Sequence, residues 1–236
     1  MIRAIPYALL AAAVASASAG SAQARGKTVV VYGDSFSAGA GTDLRAPELW
    51  PNKLERLLQR RGADWQVSNR SINGNGLTWR TRCFGDPAID RLEADARSLS
   101  NDAVIVLMAG VNDTIQPNLP AGFSECFAPA DWPSGKITAR LKALKARHRQ
   151  HRILVATVPP FAASEFHSAR AERIRREVNR WIRANWREGD VIDLEAILGR
   201  PSDRSRLRAE FDSGDGLHPN EAGAAAIANY VRDILR

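Results

Sequence analysis

Long hydrophobic runs are scarce in this chain of 236 residues. Past the amino terminus every apolar stretch meets a charged residue within a few positions, so no later segment offers the roughly 20 apolar residues that cross a bilayer. Cysteine is nearly missing: Cys83 and Cys126 are the two present, which limits the chain to one internal disulfide. Histidine occurs four times, so candidates for a general base are few. Two glycine fingerprints are incomplete. Gly39-Ala40-Gly41 comes soon after a strand pattern, yet Leu44 stands where a dinucleotide-binding loop needs its third glycine. Gly33-Asp34-Ser35 would need glycine at the position of Ser37 to make the nucleophile elbow of an α/β-hydrolase. No internal repeat is visible.

What is present begins with a leader. Residues 1–24 place Arg3 before an apolar run from Ile5 to Val14 and end in Ala22-Gln23-Ala24. This pattern predicts a secretory signal peptide cleaved after Ala24, hence a secreted or periplasmic mature protein. The rival reading is a membrane anchor, for which the run is too short and is followed by small polar residues. Residues 25–236, in a chain 44% hydrophobic, suffice for one good-sized core and leave little for a second domain. Export puts the cysteines in an oxidising compartment, where an even count favours a Cys83–Cys126 disulfide over two buried thiols.

The net charge of +7 is mostly arginine, with a dense run through Lys136, Arg140, Lys142, Lys145, Arg147, Arg149 and Arg152. Ile137, Leu141 and Leu144 recur at helical spacing within it, so the charges read as the solvated side of an amphipathic helix rather than a nucleic-acid surface. A general attraction for anionic polymers or acidic headgroups remains, without identifying a substrate.

Strand and helix patterns alternate. Apolar, β-branched runs at Thr28 to Tyr32, Trp65 to Asn69, Ala103 to Met108, Ile153 to Val158 and Val191 to Leu194 read as strands. Amphipathic segments lie between and after them: one opening at Trp50-Pro51 with Gly62 at its capping position, then Ala88 to Arg97, Ile137 to Arg149, Ala169 to Trp186 and Glu221 to Leu235. The pattern predicts an α/β fold, a three-layer α/β/α sandwich around a flavodoxin-like five-stranded parallel sheet. Ligands in such a fold bind outside the carboxyl ends of the strands.

The chemistry-bearing residues fall at those ends. Acyl transfer by serine needs a hydroxyl on an exposed turn, an imidazole to take its proton and a carboxylate to hold the imidazole's tautomer; Ser35, His218 and Asp215 can fill these roles. It also needs donors aimed at a developing oxyanion, for which the Ser35 and Gly74 backbone and the Asn112 amide are candidates. His148 and His151 sit in the basic helix and its exit, away from strand carboxyl ends. His167 could border the pocket but lacks a carboxylate at the Asp-x-x-His spacing of His218. Asp34 reads as a helix cap and Asp113 as structural.

Together these segments resemble the four blocks of the SGNH hydrolases, the GDSL-like lipase/acylhydrolase family. The blocks are Gly33-Asp34-Ser35-Phe36-Ser37, Asn69 to Gly76, Gly110-Val111-Asn112-Asp113 and Asp215-Gly216-Leu217-His218-Pro219. The resemblance implies a carboxylic ester hydrolase with Ser35 as nucleophile, His218 as base and then acid, Asp215 orienting it, and Ser35, Gly74 and Asn112 binding the oxyanion. It implies no metal and no organic cofactor. Phe36 departs from the family's usual leucine, placing a larger ring in the packing behind the nucleophile.

The expected substrates are short acyl or acetyl esters of aryl alcohols, lipids or polysaccharides, with no nucleic-acid partner and no stable membrane insertion. A lysophospholipase or lipase with a long acyl groove, and a non-catalytic carbohydrate- or surface-binding protein on the same fold, are the alternatives. The loop from Thr114 to Pro133 is expected to wall the pocket, with the disulfide tying it to the segment after Gly74. Trp79, Phe84 and Trp132 could stack on a sugar, line an acyl groove or cover the core.

Overall fold

The alternation of strand and helix patterns is realised in the computed structural model, which describes residues 27–39, 41–60, 64–120, 125–126 and 130–235. The leader expected at residues 1–24 and the capping Gly62 lie outside the described residues. In chain order, β1 (Lys27–Gly33) leads into the one-turn α1 (Ser35–Ala38) and then α2 (Trp50–Gln59). Next come β2 (Trp65–Asn69), α3 (Ala88–Asp95), β3 (Val104–Met108) and α4 (Val111–Ile115). The chain continues with α5 (Ser134–Arg147), β4 (Arg152–Ala156), α6 (Ala169–Asn185), β5 (Val191–Ile192), α7 (Leu194–Leu198) and α8 (Glu221–Ile234).

The strands pair in the order β2-β1-β3-β4-β5, every pair parallel. This is the flavodoxin-like order expected from the alternation. β3 is buried along its whole length, and Val29 to Tyr32 of β1 are buried beside it, because helices cover both faces. α2 packs on α8, and α5 packs on α6. Each fully buried aliphatic side chain of this core contributes about 1.5–3 kcal/mol.

The basic segment is an amphipathic helix, as its periodicity requires. Ile137, Leu141 and Leu144 of α5 are fully buried, while Arg140 and Arg147 reach across to Asp90 and Glu93 of α3. None of the described helices is long and apolar enough to cross a membrane.

Some element ends differ from the sequence reading. β5 stops at Ile192 because Asp193 is the N-cap of α7, its carboxylate accepting from the Ala196 N–H at 3.2 Å. β4 stops at Ala156; the Thr157 N–H still reaches the Ile192 carbonyl at 3.0 Å, and the Val158 backbone groups are then satisfied by a side chain. Val158 donates to Asn179 Oδ1 at 2.7 Å and accepts from Asn179 Nδ2 at 2.9 Å, with Asn179 fully buried. α5 begins a turn earlier than its apolar spacing suggests, and α3 ends two residues before Arg97.

Candidate active site

Ser35 sits where β1 gives way to α1. Asp34 is the N-cap, accepting from the Phe36 N–H at 3.0 Å, the capping role its position suggests. Burial pushes the Asp34 carboxyl up to about 7, against the pull of that hydrogen bond and of the His218 charge, and with the nearby Asp113 charge adding to the rise. Ser37, the residue that breaks the Gly-x-Ser-x-Gly pattern, is fully buried behind the turn. Its hydroxyl accepts the Trp50 indole N–H at 2.9 Å, and its carbonyl accepts Asn69 Nδ2 at 2.8 Å. The turn is therefore held from α2 and from the carboxyl end of β2.

The loop before α8 is organised by its own carboxylates. Asp212 Oδ1 accepts from the Gly214 and Gly216 N–H groups at 2.8 and 3.0 Å. Asp215 Oδ1 accepts from the Leu217 and His218 N–H groups at 2.9 and 2.8 Å, leaving Oδ2 for the imidazole. Asn220 then caps α8 through Gly223 and ties the loop back to Glu210 and Asp212.

This loop brings His218 to Ser35 across 183 positions of sequence. His218 Nδ1 lies 2.6 Å from Asp215 Oδ2, and His218 Nε2 lies 2.9 Å from Ser35 Oγ. With Nδ1 donating to the carboxylate, Nε2 is left to accept the serine proton. Partial burial lifts the Asp215 carboxyl, but the ring and backbone hydrogen bonds from His218, then that of Leu217, outweigh it and hold the group down at about 2. Phe36 lies against this imidazole, ring centroids 5.9 Å apart, so its larger ring supports the histidine as well as filling core.

The segment after β2 is fixed by a residue on α4. Asp113 is fully buried and accepts four hydrogen bonds: Leu77 N–H to Oδ2 at 2.6 Å, and Thr78 N–H, Thr78 hydroxyl and Trp79 N–H to Oδ1 at 2.7, 2.6 and 2.8 Å. Such a set offsets much of the cost of burying the charge. The structural role read for Asp113 is thus to hold the stretch that follows Gly74. Asn112 Nδ2 donates to the Asn75 carbonyl at 3.0 Å. Gln116, one helical turn on, donates from Nε2 both to the Gly74 carbonyl at 2.8 Å and to Asn112 Oδ1 at 3.0 Å. Gly74 itself has φ +71°, and a β-carbon there would meet the Phe84 ring at 2.7 Å. Gly74 and Asn112 are so joined into one hydrogen-bonded unit.

Two contributors escaped the sequence reading. Gln116 orients the Asn112 amide; its i, i+4 spacing from Asn112 was the available signal. Gly41, set aside as part of a failed dinucleotide fingerprint, adopts φ +78° against the His218 ring. The other histidines lie elsewhere: His167 packs near Phe161, and His148 and His151 sit together before β4.

Cys83 and Cys126 form a disulfide that closes a separation of 43 residues. It joins the segment after Gly74 to the loop leaving α4, and Arg82 N–H reaches the Cys126 carbonyl beside it. Residues 121–124 and 127–129 of the Thr114 to Pro133 loop lie outside the described residues. At its end, Trp132 donates to Thr78 Oγ1 at 3.2 Å and stacks edge-on against Trp79, centroids 4.8 Å apart.

This fold has counterparts. A putative arylesterase from Agrobacterium tumefaciens str. C58 superposes with a TM-score of 0.62 at 18% identity, over 89% of this chain and 98% of that one. A lipolytic protein of the G-D-S-L family from Veillonella parvula DSM 2008 gives 0.60 at 18% identity, over 88% and 97%. The acetyl xylan esterase AlAXEase gives 0.59 at 17% identity, over 89% and 100%. These likenesses show the shared fold. No curated protein matches the chain in sequence. Residues 31–226 match the GDSL-like Lipase/Acylhydrolase family, so the chain belongs to that family and is a carboxylic ester hydrolase.

Proposed function

We propose that the protein is a secreted serine esterase acting on short acyl or acetyl esters, with Ser35, His218 and Asp215 as its triad. The observation that carries this reading is the continuous hydrogen-bonded chain from Ser35 Oγ through His218 to Asp215. In the acylation step the Ser35 oxygen bonds to the ester carbonyl carbon while its proton passes to His218 Nε2. The carbonyl oxygen takes the negative charge, facing donors from the Ser35 and Gly74 backbone and the Asn112 amide. The alcohol then leaves with the proton from His218, and water repeats the cycle on the acyl-enzyme to release the acid. Asp215 holds the Nδ1–H tautomer and stabilises the imidazolium.

The preference for small acyl groups is supported by the kinds of enzyme that share the fold, one a putative arylesterase and one an acetyl xylan esterase. Secretion is supported by the leader pattern at residues 1–24 and by a disulfide, which persists in oxidising compartments. Purified protein is expected to hydrolyse nitrophenyl acetate, and Ser35→Ala to lose at least about a thousandfold in kcat. Equal activity in the variant would end the assignment. A nitrophenyl ester series tests the acyl preference: the highest kcat/KM on long chains would favour a lipase instead.

A further inference from the structure

At the end of the sheet opposite the Ser35 turn, α5 and α6 finish and β4 and β5 begin. Between them lies a cleft of about 950 Å³ whose charged lining is five lysines and arginines against one carboxylate, Asp190. Structural duties account for part of this charge. Arg152 pairs with Asp190 at 2.8 Å and donates to the Gly189 and Ile234 carbonyls. Lys145 donates to the Asn185 carbonyl and lies over the Trp186 ring. Both serve the ends of helices and strands, where carbonyls want donors. Lys142, Arg149 and Arg187 have no such employment: no carboxylate among the described residues pairs with any of them. With the one carboxylate of the lining already paired to Arg152, these three exposed cations leave the cleft a positive field that favours an anion.

The floor of the cleft carries a second, independent sign. His151 is only 7% exposed, yet neither of its ring nitrogens has a hydrogen-bond partner, and the Nδ1 of neighbouring His148 is also unpartnered. The two rings stand 6.4 Å apart in the lining. Buried polar atoms are nearly always satisfied, and an unpaired one is destabilising. Those ring nitrogens have almost no exposed surface, so an oxyanion in the cleft becomes their partner only when the side chains covering them move aside.

We propose that this cleft is a second binding site, separate from the esterase site, for a ligand carrying two or more clustered phosphate groups. His151 and His148 contact the anion from the floor, and Lys142, Arg149 and Arg187 do so from the rim. Clustered charge is required because a single phosphate cannot meet three rim cations spread around a cleft of this size.

Inorganic tripolyphosphate is the probe, titrated into the purified protein by calorimetry at low salt, where screening is weak. Binding is expected with a Kd below about 100 μM. Arg149→Glu with Arg187→Glu, both exposed positions, is expected to weaken it at least about tenfold while leaving nitrophenyl acetate hydrolysis unchanged. His151→Phe, which replaces unpaired nitrogens by apolar surface, is expected to fold and to lose binding similarly. Cosedimentation with phosphatidylglycerol vesicles, displaced by tripolyphosphate, would identify the phosphates as lipid headgroups; binding of tripolyphosphate without cosedimentation would identify a soluble ligand. Either supports the site. No binding of either probe, or binding unchanged by the arginine reversal or by His151→Phe, overturns it.

Discussion

Gly41 lies against the imidazole of His218 so closely that a β-carbon at Gly41 would stand 2.5 Å from the ring's Cε1 and Nδ1. The histidine is thus positioned from two sides, by Asp215 through a hydrogen bond and by the Gly41 backbone through contact. Gly41→Ala should displace the ring and also strain a backbone at φ +78° by about 1–2 kcal/mol. The expected result is a fall in kcat of about tenfold to a hundredfold with a change in Tm of only a few degrees. Steady-state kinetics and thermal melting on one preparation check both.

Asp113 should be among the most sensitive positions besides Ser35, His218 and Asp215. Asp113→Asn replaces one acceptor oxygen by an amide that donates toward backbone N–H groups, undoing part of a four-bond set. A loss of about 3 kcal/mol in urea unfolding is expected, with reduced kcat because the Gly74 to Trp79 stretch loses its anchor.

Asp34 makes a pH prediction whose sign is opposite to that of an ion-paired carboxylate. Folded, it keeps its proton up to about 7; unfolded, it releases it near the ordinary value of 3.8. Between these values the native state binds more protons, so this residue's contribution to stability falls as pH rises. Asp34→Asn should therefore gain stability relative to the parent as pH is raised from 4 to 7, as roughly measured by urea midpoints across that window.

Asp215 runs the other way. Its carboxyl is held down at about 2, so its stabilising effect is complete above the unfolded value of 3.8 and is lost as pH falls through 2. Asp215→Asn is expected to cut kcat by about 10³–10⁴-fold at neutral pH by losing the Nδ1–H tautomer.

Reduction of the disulfide should leave the fold in place but lower its stability by up to about 4 kcal/mol, the loop entropy of a 43-residue separation. Denaturant titration of the double serine variant, Cys83→Ser with Cys126→Ser, measures this.

The elements that carry the sheet could be read directly from the chain because burial on both faces leaves a plain signature. β3 is an unbroken apolar run, and α5 shows its core stripe at Ile137, Leu141 and Leu144 despite its charge. That Ser35, His218 and Asp215 come together was legible because Asp215 and His218 share one short loop, and because each motif follows a strand. What escaped depended on contacts made through space. Asp113 reads as structural from its position, but the segment it serves lies 34 to 36 positions away, which no local pattern encodes. Gly41 matters only because His218 arrives beside it. β5 was overextended because Asp193 and Leu194 continue the strand pattern until the capping bond to Ala196 is seen.

The central claim, that Ser35 is the nucleophile paired with His218, is tested most directly by trapping it. The purified protein is treated with a nitrophenyl alkylphosphonate, which a nucleophilic serine attacks with loss of nitrophenol, and the adduct is mapped by peptide mass spectrometry. A single phosphonylated site at Ser35, formed in step with loss of esterase activity and slowed at least about a thousandfold in His218→Ala, is the predicted result. Inactivation with the adduct on any other residue, or labelling of Ser35 that proceeds as fast without His218, would contradict it.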